Sequence, residues 1–207
     1  AFAPVVDIRQ TVTPQLRTDC GETSLVLFDL GLGKNRMGAS ALAQVYRKFE
    51  GSPPDLDDAE LLKQFFALIQ SGISEGLLLA YHDRSDGGLF TTLAEMAFAG
   101  HCGFNVDLTT LPGDDISRLF NEEAGAVLQI AEADMPGFIA RASALGLEGC
   151  THVIGSAASD DYLRVCDGDR EVFANGRAAI HRLWARTSYE IQALRDNPQC
   201  AEEEFSR

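Results

Sequence analysis

Positive charge is what this 207-residue sequence has least of: 17 Lys and Arg stand against 31 Asp and Glu, a formal net charge of −14 at pH 7. Nucleic acid and anionic membranes both demand basic patches, so neither is expected as a partner. A phosphorylated ligand is not excluded, because a helix terminus or a bound cation can outweigh distant carboxylates. Cysteine is sparse too. The five thiols (Cys20, Cys102, Cys150, Cys166 and Cys200) are odd in number and scattered, with no C-x-x-C pair. That suits neither a disulfide framework nor a zinc site and implies reduced thiols in a cytosol. Cys102 and Cys166 fall in strand-like segments, where a thiol behaves as a small core residue. The four histidines are isolated and offer no metal-ligand spacing. No basic-then-apolar leader is present, and no apolar run reaches membrane-spanning length. The expectation is a cytoplasmic protein.

What is present is ordinary globular composition, 45% hydrophobic and 23% charged, at a length that suits one domain with a core needing no staples. Val5, Val6, Ile8 and Val12 suggest an extended lead-in strand, and Ser24 to Leu30 a buried one. After a loop at Gly31–Asn35, Ala41 to Phe49 reads as a short helix, and Gly51-Ser52-Pro53-Pro54 ends it. Asp57 or Asp58 caps a longer helix with Leu61, Leu62, Phe65, Leu68 and Ile69 as its apolar stripe. Strands follow at Leu77–Ala80, Phe104–Leu108 and Ala126–Ile130, with a helical turn capped by Asp115 and a helix over Ala133–Leu145. Val153 opens a β-rich stretch in which Asp167-Gly168 signals a hairpin. Ala178 to Leu194 is the final predicted helix, with Ile180, Leu183, Trp184, Ile191 and Leu194 along one side. The fold class expected is α+β (mixed α/β), one mixed sheet with flanking helices.

Two apparent motifs fail on inspection. Gly31-Leu32-Gly33-Lys34 is not a P-loop, because Phe28 and Asn35 hold the positions of the first Gly and of the Ser or Thr. It is not a dinucleotide fingerprint either, since Arg36 stands where the third Gly belongs. Gly72-Ile73-Ser74-Glu75-Gly76 spells a nucleophile elbow, but the helix precedes it and the strand follows, the reverse of what the elbow needs.

The densest segment is Tyr81-His82-Asp83-Arg84-Ser85-Asp86-Gly87-Gly88. It lies between the Leu77–Ala80 strand and a helix that presents Leu89, Leu93, Met96 and Ala97 at i, i+4, i+7 and i+8 and ends near Gly100. A strand feeding a Gly-bearing turn and a helix N-terminus offers backbone N–H groups and partial positive charge to an anion. Its carboxylates suit a hard cation beside phosphate oxygens. The plain alternative is that Ser85 or Asp86 caps the helix, Gly87 and Gly88 serve the turn, and Asp83 is a polar residue at a strand end.

This segment, with Leu93-Ala94-Glu95-Met96-Ala97 and Gly100-His101-Cys102-Gly103, closely resembles the C-terminal domain of the aminoimidazole ribonucleotide (AIR) synthetase superfamily. Leu119-Phe120-Asn121-Glu122-Glu123-Ala124-Gly125 is similar to its Phe-x-Glu-x-x-Gly segment, though Gly125-Ala126 departs from the Gly-Gly or Gly-Arg usual there. Gly38-Ala39-Ser40 matches its turn before a helix. Within the superfamily, Leu16, Leu42-Ala43-Gln44-Val45-Tyr46-Arg47 and Leu194-Arg195-Asp196-Asn197-Pro198-Gln199-Cys200-Ala201 resemble the large-type phosphoribosylformylglycinamidine synthases. The resemblance covers essentially the whole chain.

It implies an AIR-synthetase-related C-terminal-type domain over residues 1–195 and, from 196 to 207, the start of a linker toward a glutaminase domain. The start at Ala1-Phe2-Ala3-Pro4 and the acidic Asn197–Glu204 stretch suit a piece of something longer. The implied parent is an ATP-dependent, glutamine-using ligase of purine biosynthesis that converts formylglycinamide ribonucleotide to formylglycinamidine ribonucleotide. Its other domains, an N-terminal-type partner and the glutaminase, would be this chain's partners. The resemblance further implies Mg2+ held by Asp83 and ATP or ADP contacted by Ser85, Asp86, Gly87 and Gly88, in a structural rather than catalytic site. No catalytic residue is assigned, and the chain alone is expected to fold but not to turn over. Glu122 and Glu123 are further candidates, with a solvated acidic turn as the alternative. Two other readings stand beside this one: another ATP-using member, such as a kinase or maturation factor, and a non-catalytic scaffold module.

Overall fold

A computed structural model describes residues 4–5, 7–48 and 50–206; Val6 of the expected lead-in strand and Phe49 of the short helix lie outside the described residues. Seven strands form one sheet: β1 (Thr23–Asp29), β2 (Leu78–Asp83), β3 (Gly103–Asp107), β4 (Gly125–Ala131), β5 (Thr151–Ala158), β6 (Tyr162–Asp167) and β7 (Arg170–Gly176). They lie in the order β2-β4-β1-β5-β3-β6-β7. All neighbours pair antiparallel except β3 with β6. The mixed fold expected from the sequence is the fold observed.

Both faces of the sheet are covered, which is why β1 reads as an unbroken apolar run. Leu25 and Leu27 point into one cluster with Leu89, Leu93, Met96 and Ala97 of α3 (Gly88–Gly100). Val26 and Phe28 point into the other, with Phe65, Leu68 and Ile69 of α2 (Ala59–Ser74) and Phe138 of α5 (Met135–Ala144). Phe28 is the pivot of that second layer, its ring 5.2 Å from Phe65 and edge-on to Phe138 at 6.2 Å. Fully buried aromatics of this kind each remove well over 100 Å² from water, the dominant favourable term in folding.

Several local expectations are corrected. Among the described residues the lead-in segment forms no strand. Ile8–Gln10 is a single 3-10 turn, and Pro14, lacking an N–H, cannot donate to a ladder. The segment meets β2 through one bond, Tyr81 N–H to the Thr13 carbonyl at 3.1 Å. Helix α1 spans only Ala41–Val45, because Arg47 adopts the left-handed conformation (φ 55°) that ends a helix. Of the two caps expected for α2, Asp58 is the one that forms. Asp114 caps α4 (Asp115–Phe120), leaving Asp115 free to pair with Arg170. Helix α6 runs over Arg177–Arg195 and is not the last: Asn197 caps a further helix, α7 (Pro198–Phe205), which packs on it where a linker was expected. Asn-Pro is a helix-start signal that the acidic composition hid. Among the described residues no helix is long and apolar enough to cross a membrane.

Candidate functional site

The C-terminal ends of β1 and β2 and the N-terminal start of β4 share one end of the sheet, with Asp29 opposite Gly125 and Asp83 opposite Ala126. Three connections meet there: Leu30–Ser40, Arg84–Gly87 and Asn121–Ala124. The Tyr81–Gly88 motif therefore lies where the topology gathers loops, as its strand–turn–helix reading requires.

Exposure alternates sharply within the motif. Asp83, Ser85 and Asp86 face solvent, while Arg84 between them is buried. The Arg84 guanidinium reaches inward, donating from Nη2 to Asp29 Oδ1 at 2.5 Å and from Nε to the Glu123 carbonyl at 2.7 Å. Its backbone N–H donates to the Gly125 carbonyl at 2.9 Å. A buried, multiply bonded arginine pins the loop to β1 and to the 121–125 connection, so the flanking polar side chains are presented from a fixed base. Tyr81 contributes as well: its hydroxyl donates to Asp83 Oδ1. Burial, then that hydrogen bond and the Asp83 charge, push the Tyr81 phenol above its ordinary range.

The capping alternative is not what forms. The N-cap position of α3 is Gly87, in the left-handed region (φ 83°), and no side chain caps the helix. Gly88 is required by close approach as much as by conformation (φ 67°). A methyl group there would sit 2.6 Å from the Asn121 carbonyl oxygen and 2.7 Å from that of Leu119.

The free N–H groups expected at Gly87 and Gly88 are not free. Gly87 N–H donates to Glu122 Oε1 and Gly88 N–H to the Ser85 carbonyl, at 2.8 and 2.9 Å. The N–H groups of Ser85 and Asp86 meet no acceptor among the described residues. The turn thus offers an anion its first two residues, not its last two.

Neither Glu122 nor Glu123 belongs to a solvated acidic turn. Glu122 Oε1 also accepts from Ala41 N–H at 2.8 Å, tying the start of α1 to the start of α3. Glu123 is fully buried and bonded by Arg36 through both carboxylate oxygens, at 2.7 Å each. Arg36 continues to Asp57 at 2.8 Å, and Asp57 to Lys34 at 2.9 Å. Lys34 and then Arg36 hold the Asp57 carboxyl below its usual range. Gly31 lets Glu123 in: a methyl group there would lie 2.6 Å from its side chain. The sequence reading missed Arg84, Asp29, Arg36 and Tyr81. One signal was available, because a lone arginine inside a carboxylate-rich turn of so acidic a chain needs an acid partner.

Among the described residues no group of three or more His, Cys, Asp or Glu side chains could hold a metal by itself. The thiols at Cys102 and Cys150 are buried, and burial raises both, Cys150 to about 11. They are core residues and not nucleophiles.

Residues 28–167 match the family model described as AIR synthase related protein, C-terminal domain. Solved structures share the fold. Thermotoga maritima PurL complexed with ATP aligns with a TM-score of 0.64 at 15% identity, over 82% of this chain and 27% of that one. T. maritima PurL complexed with FGAR gives 0.65 at 16%, over 84% and 30%. The E. coli hydrogenase maturation protein HypE gives 0.53 at 18%, over 75% and 49%. This chain therefore spans less than a third of the PurL chains it resembles.

Proposed function

The chain belongs to the AIR synthase related protein C-terminal domain family, and on that premise we propose that it is one domain of an ATP-dependent ligase of purine biosynthesis, the amidotransferase that converts formylglycinamide ribonucleotide to formylglycinamidine ribonucleotide. The fold is shared with PurL and with a maturation protein, so it does not choose among reactions. The choice rests on the Arg195-Asp196-Asn197-Pro198-Gln199-Cys200 segment together with the 81–88 motif.

The observation that carries the nucleotide reading is the rigid turn in which buried Arg84 presents Asp83, Ser85 and Asp86 side by side to solvent. Asp83 would hold Mg2+. Its carboxylate is exposed and oriented by Tyr81, and the absence of a complete ligand set among the described residues fits a cation that keeps its waters and binds through one or two carboxylates plus phosphate oxygens. Bound there, magnesium would neutralise phosphate charge beside a −14 chain. Ser85 and Asp86 would contact ATP or ADP through the Ser85 hydroxyl and the two open N–H groups. Gly87 and Gly88 shape the turn. The site serves binding and not chemistry, and the N-terminal-type and glutaminase domains of the parent supply the remaining contacts and the ammonia. The chain alone is inactive with formylglycinamide ribonucleotide, ATP and ammonia.

The test is magnesium-dependent ADP binding by the native gene product, measured by isothermal titration. Asp83→Asn is expected to weaken it at least tenfold with no change in melting temperature, since Asp83 is exposed. Equal affinity in Asp83→Asn, or affinity indifferent to magnesium, would remove the metal assignment.

A further inference from the structure

Helix α6 lies outside the candidate site and is weakly seated, with no buried residue among its 19 positions. What holds its first half, with Ile180 against the core, is a small aromatic cluster. Phe98 of α3 has its ring 4.8 Å from His181 and 5.8 Å from Trp184, and the His181 and Trp184 rings stack at 20°. One hydrogen bond adds direction: Trp184 Nε1–H donates to Glu95 Oε1 at 3.0 Å. The other oxygen of the same carboxylate, Oε2, lies 2.8 Å from His82 Nε2. His82 is the residue immediately before Asp83 in β2. A single carboxylate on α3 therefore grips the neck of the candidate loop with one oxygen and the outer helix with the other.

We propose that Glu95 is a positioning residue that couples the Asp83 loop to α6, so that seating of α6 and the geometry of the β2 end favour one another. A carboxylate with both oxygens engaged is fixed in rotamer. Release of Trp184 returns rotational freedom to Glu95 and weakens its hold on His82, and release of His82 weakens its hold on Trp184. Such coupling is reciprocal by thermodynamic necessity. It needs an element of low local stability to respond, and α6, without a buried side chain, is that element. The ligand consequence rests on the reading of the loop under Proposed function; the coupling itself does not.

A double-mutant cycle tests the coupling directly. His82→Leu and Trp184→Phe change side chains that each bond Glu95. If Glu95 joins them, their effects on the unfolding equilibrium constant depart from additivity by about threefold or more, as expected for residues in one network. The departure disappears in a Glu95→Ala background. It returns with Glu95→Gln, whose amide can accept from Trp184 and donate to a ring nitrogen of His82. Additive effects in the native background overturn the proposal.

A second readout separates the proposal from the site reading. Trp184 is the only tryptophan of these 207 residues, and in the native protein its emission, isolated as the difference from Trp184→Phe, reports the seating of α6. Addition of magnesium and ADP to the native protein is expected to shift that emission, and the shift is lost in Glu95→Ala. A coupled cycle with no emission response supports Glu95 and removes the loop's ligand. An emission shift that persists unchanged in Glu95→Ala overturns Glu95 as the link.

Discussion

At the Asp83 end of the sheet a guanidinium with 1% exposure meets a carboxylate with 5%, and a second carboxylate, on Glu123, is fully enclosed by its arginine. Along α6, by contrast, four large apolar side chains (Leu183, Trp184, Ile191 and Leu194) stand more than half exposed. Polar groups are buried in one region and apolar groups are left in water in the other. The first arrangement costs desolvation and is tolerated only where every partner is in place; here it holds three loops in one geometry. The second forgoes apolar burial that folding could have used. The first kind of construction gives the exposed Asp83, Ser85 and Asp86 a fixed base, as the proposed site requires. A helix free to respond to its surroundings needs the second.

The sharpest way to break the comparison is to remove one partner in the buried region. Arg84→Met should cost about 3–5 kcal/mol, because it strands the Asp29 carboxylate in the interior. A fall in urea midpoint with unchanged slope is the expected measurement. Asp29→Leu combined with Arg84→Met should recover part of the loss, since the double change leaves no unpaired charge. A cost under about 1 kcal/mol for Arg84→Met would mean that the pair behaves as a surface ion pair.

Acidification acts on both regions with the same sign and different reach. His152, in β5 near Asp29 and Arg84, is held below its ordinary value of 6.5 by burial, an effect the Arg84 charge reinforces and the Asp29 charge opposes. His181, on α6, is lowered by burial and by Arg177 and His101. For a histidine whose folded value is depressed, the unfolded chain binds more protons below about 6.5, so stability falls as pH drops through that window. His152→Gln should flatten the loss of global stability between pH 7 and 5. His181→Gln should leave that slope nearly intact and flatten only the change in Trp184 emission. Equal effects of both variants on global unfolding would erase the distinction between the two regions.

How far the sequence alone reached follows the same division. Where apolar residues repeat at the period of a strand or helix and the element is buried on both faces, as in β1, β4 and α3, element type and position are legible to within a residue or so. In the motif the sequence shows polar Asp83, Ser85 and Asp86 in a turn, and the structure finds them exposed; their binding role stays the proposal made above. What lay hidden was long-range. Arg84 reaches Asp29 across 55 residues and Arg36 reaches Glu123 across 87, and no local pattern encodes partners at that separation. Hence Glu122 and Glu123 read as either ligand candidates or a solvated turn, with nothing to show that one bridges two helix starts and the other is buried whole. The lead-in segment failed differently. Ile8 and Val12 carry strand propensity, but propensity is weak, and around Ile8 the Asp7 side chain caps a 3-10 turn instead.

The smallest expected effect sharpens the comparison most economically, because one chemical deletion can be made in both regions. Leu128 in β4 is fully buried and Leu194 on α6 is 90% exposed. Leu128→Ala opens a cavity between sheet and helices and should cost about 2–5 kcal/mol. Leu194→Ala removes the same atoms from water rather than from a core and should change stability by no more than about 0.5 kcal/mol. If Leu194→Ala instead costs as much as a core change, Leu194 is covered in solution and α6 is no longer the loosely seated element. The coupling through Glu95 would then have to draw on α7 instead, whose grip on α6 runs through the Tyr189–Phe205 stack and the Tyr189–Glu202 hydrogen bond.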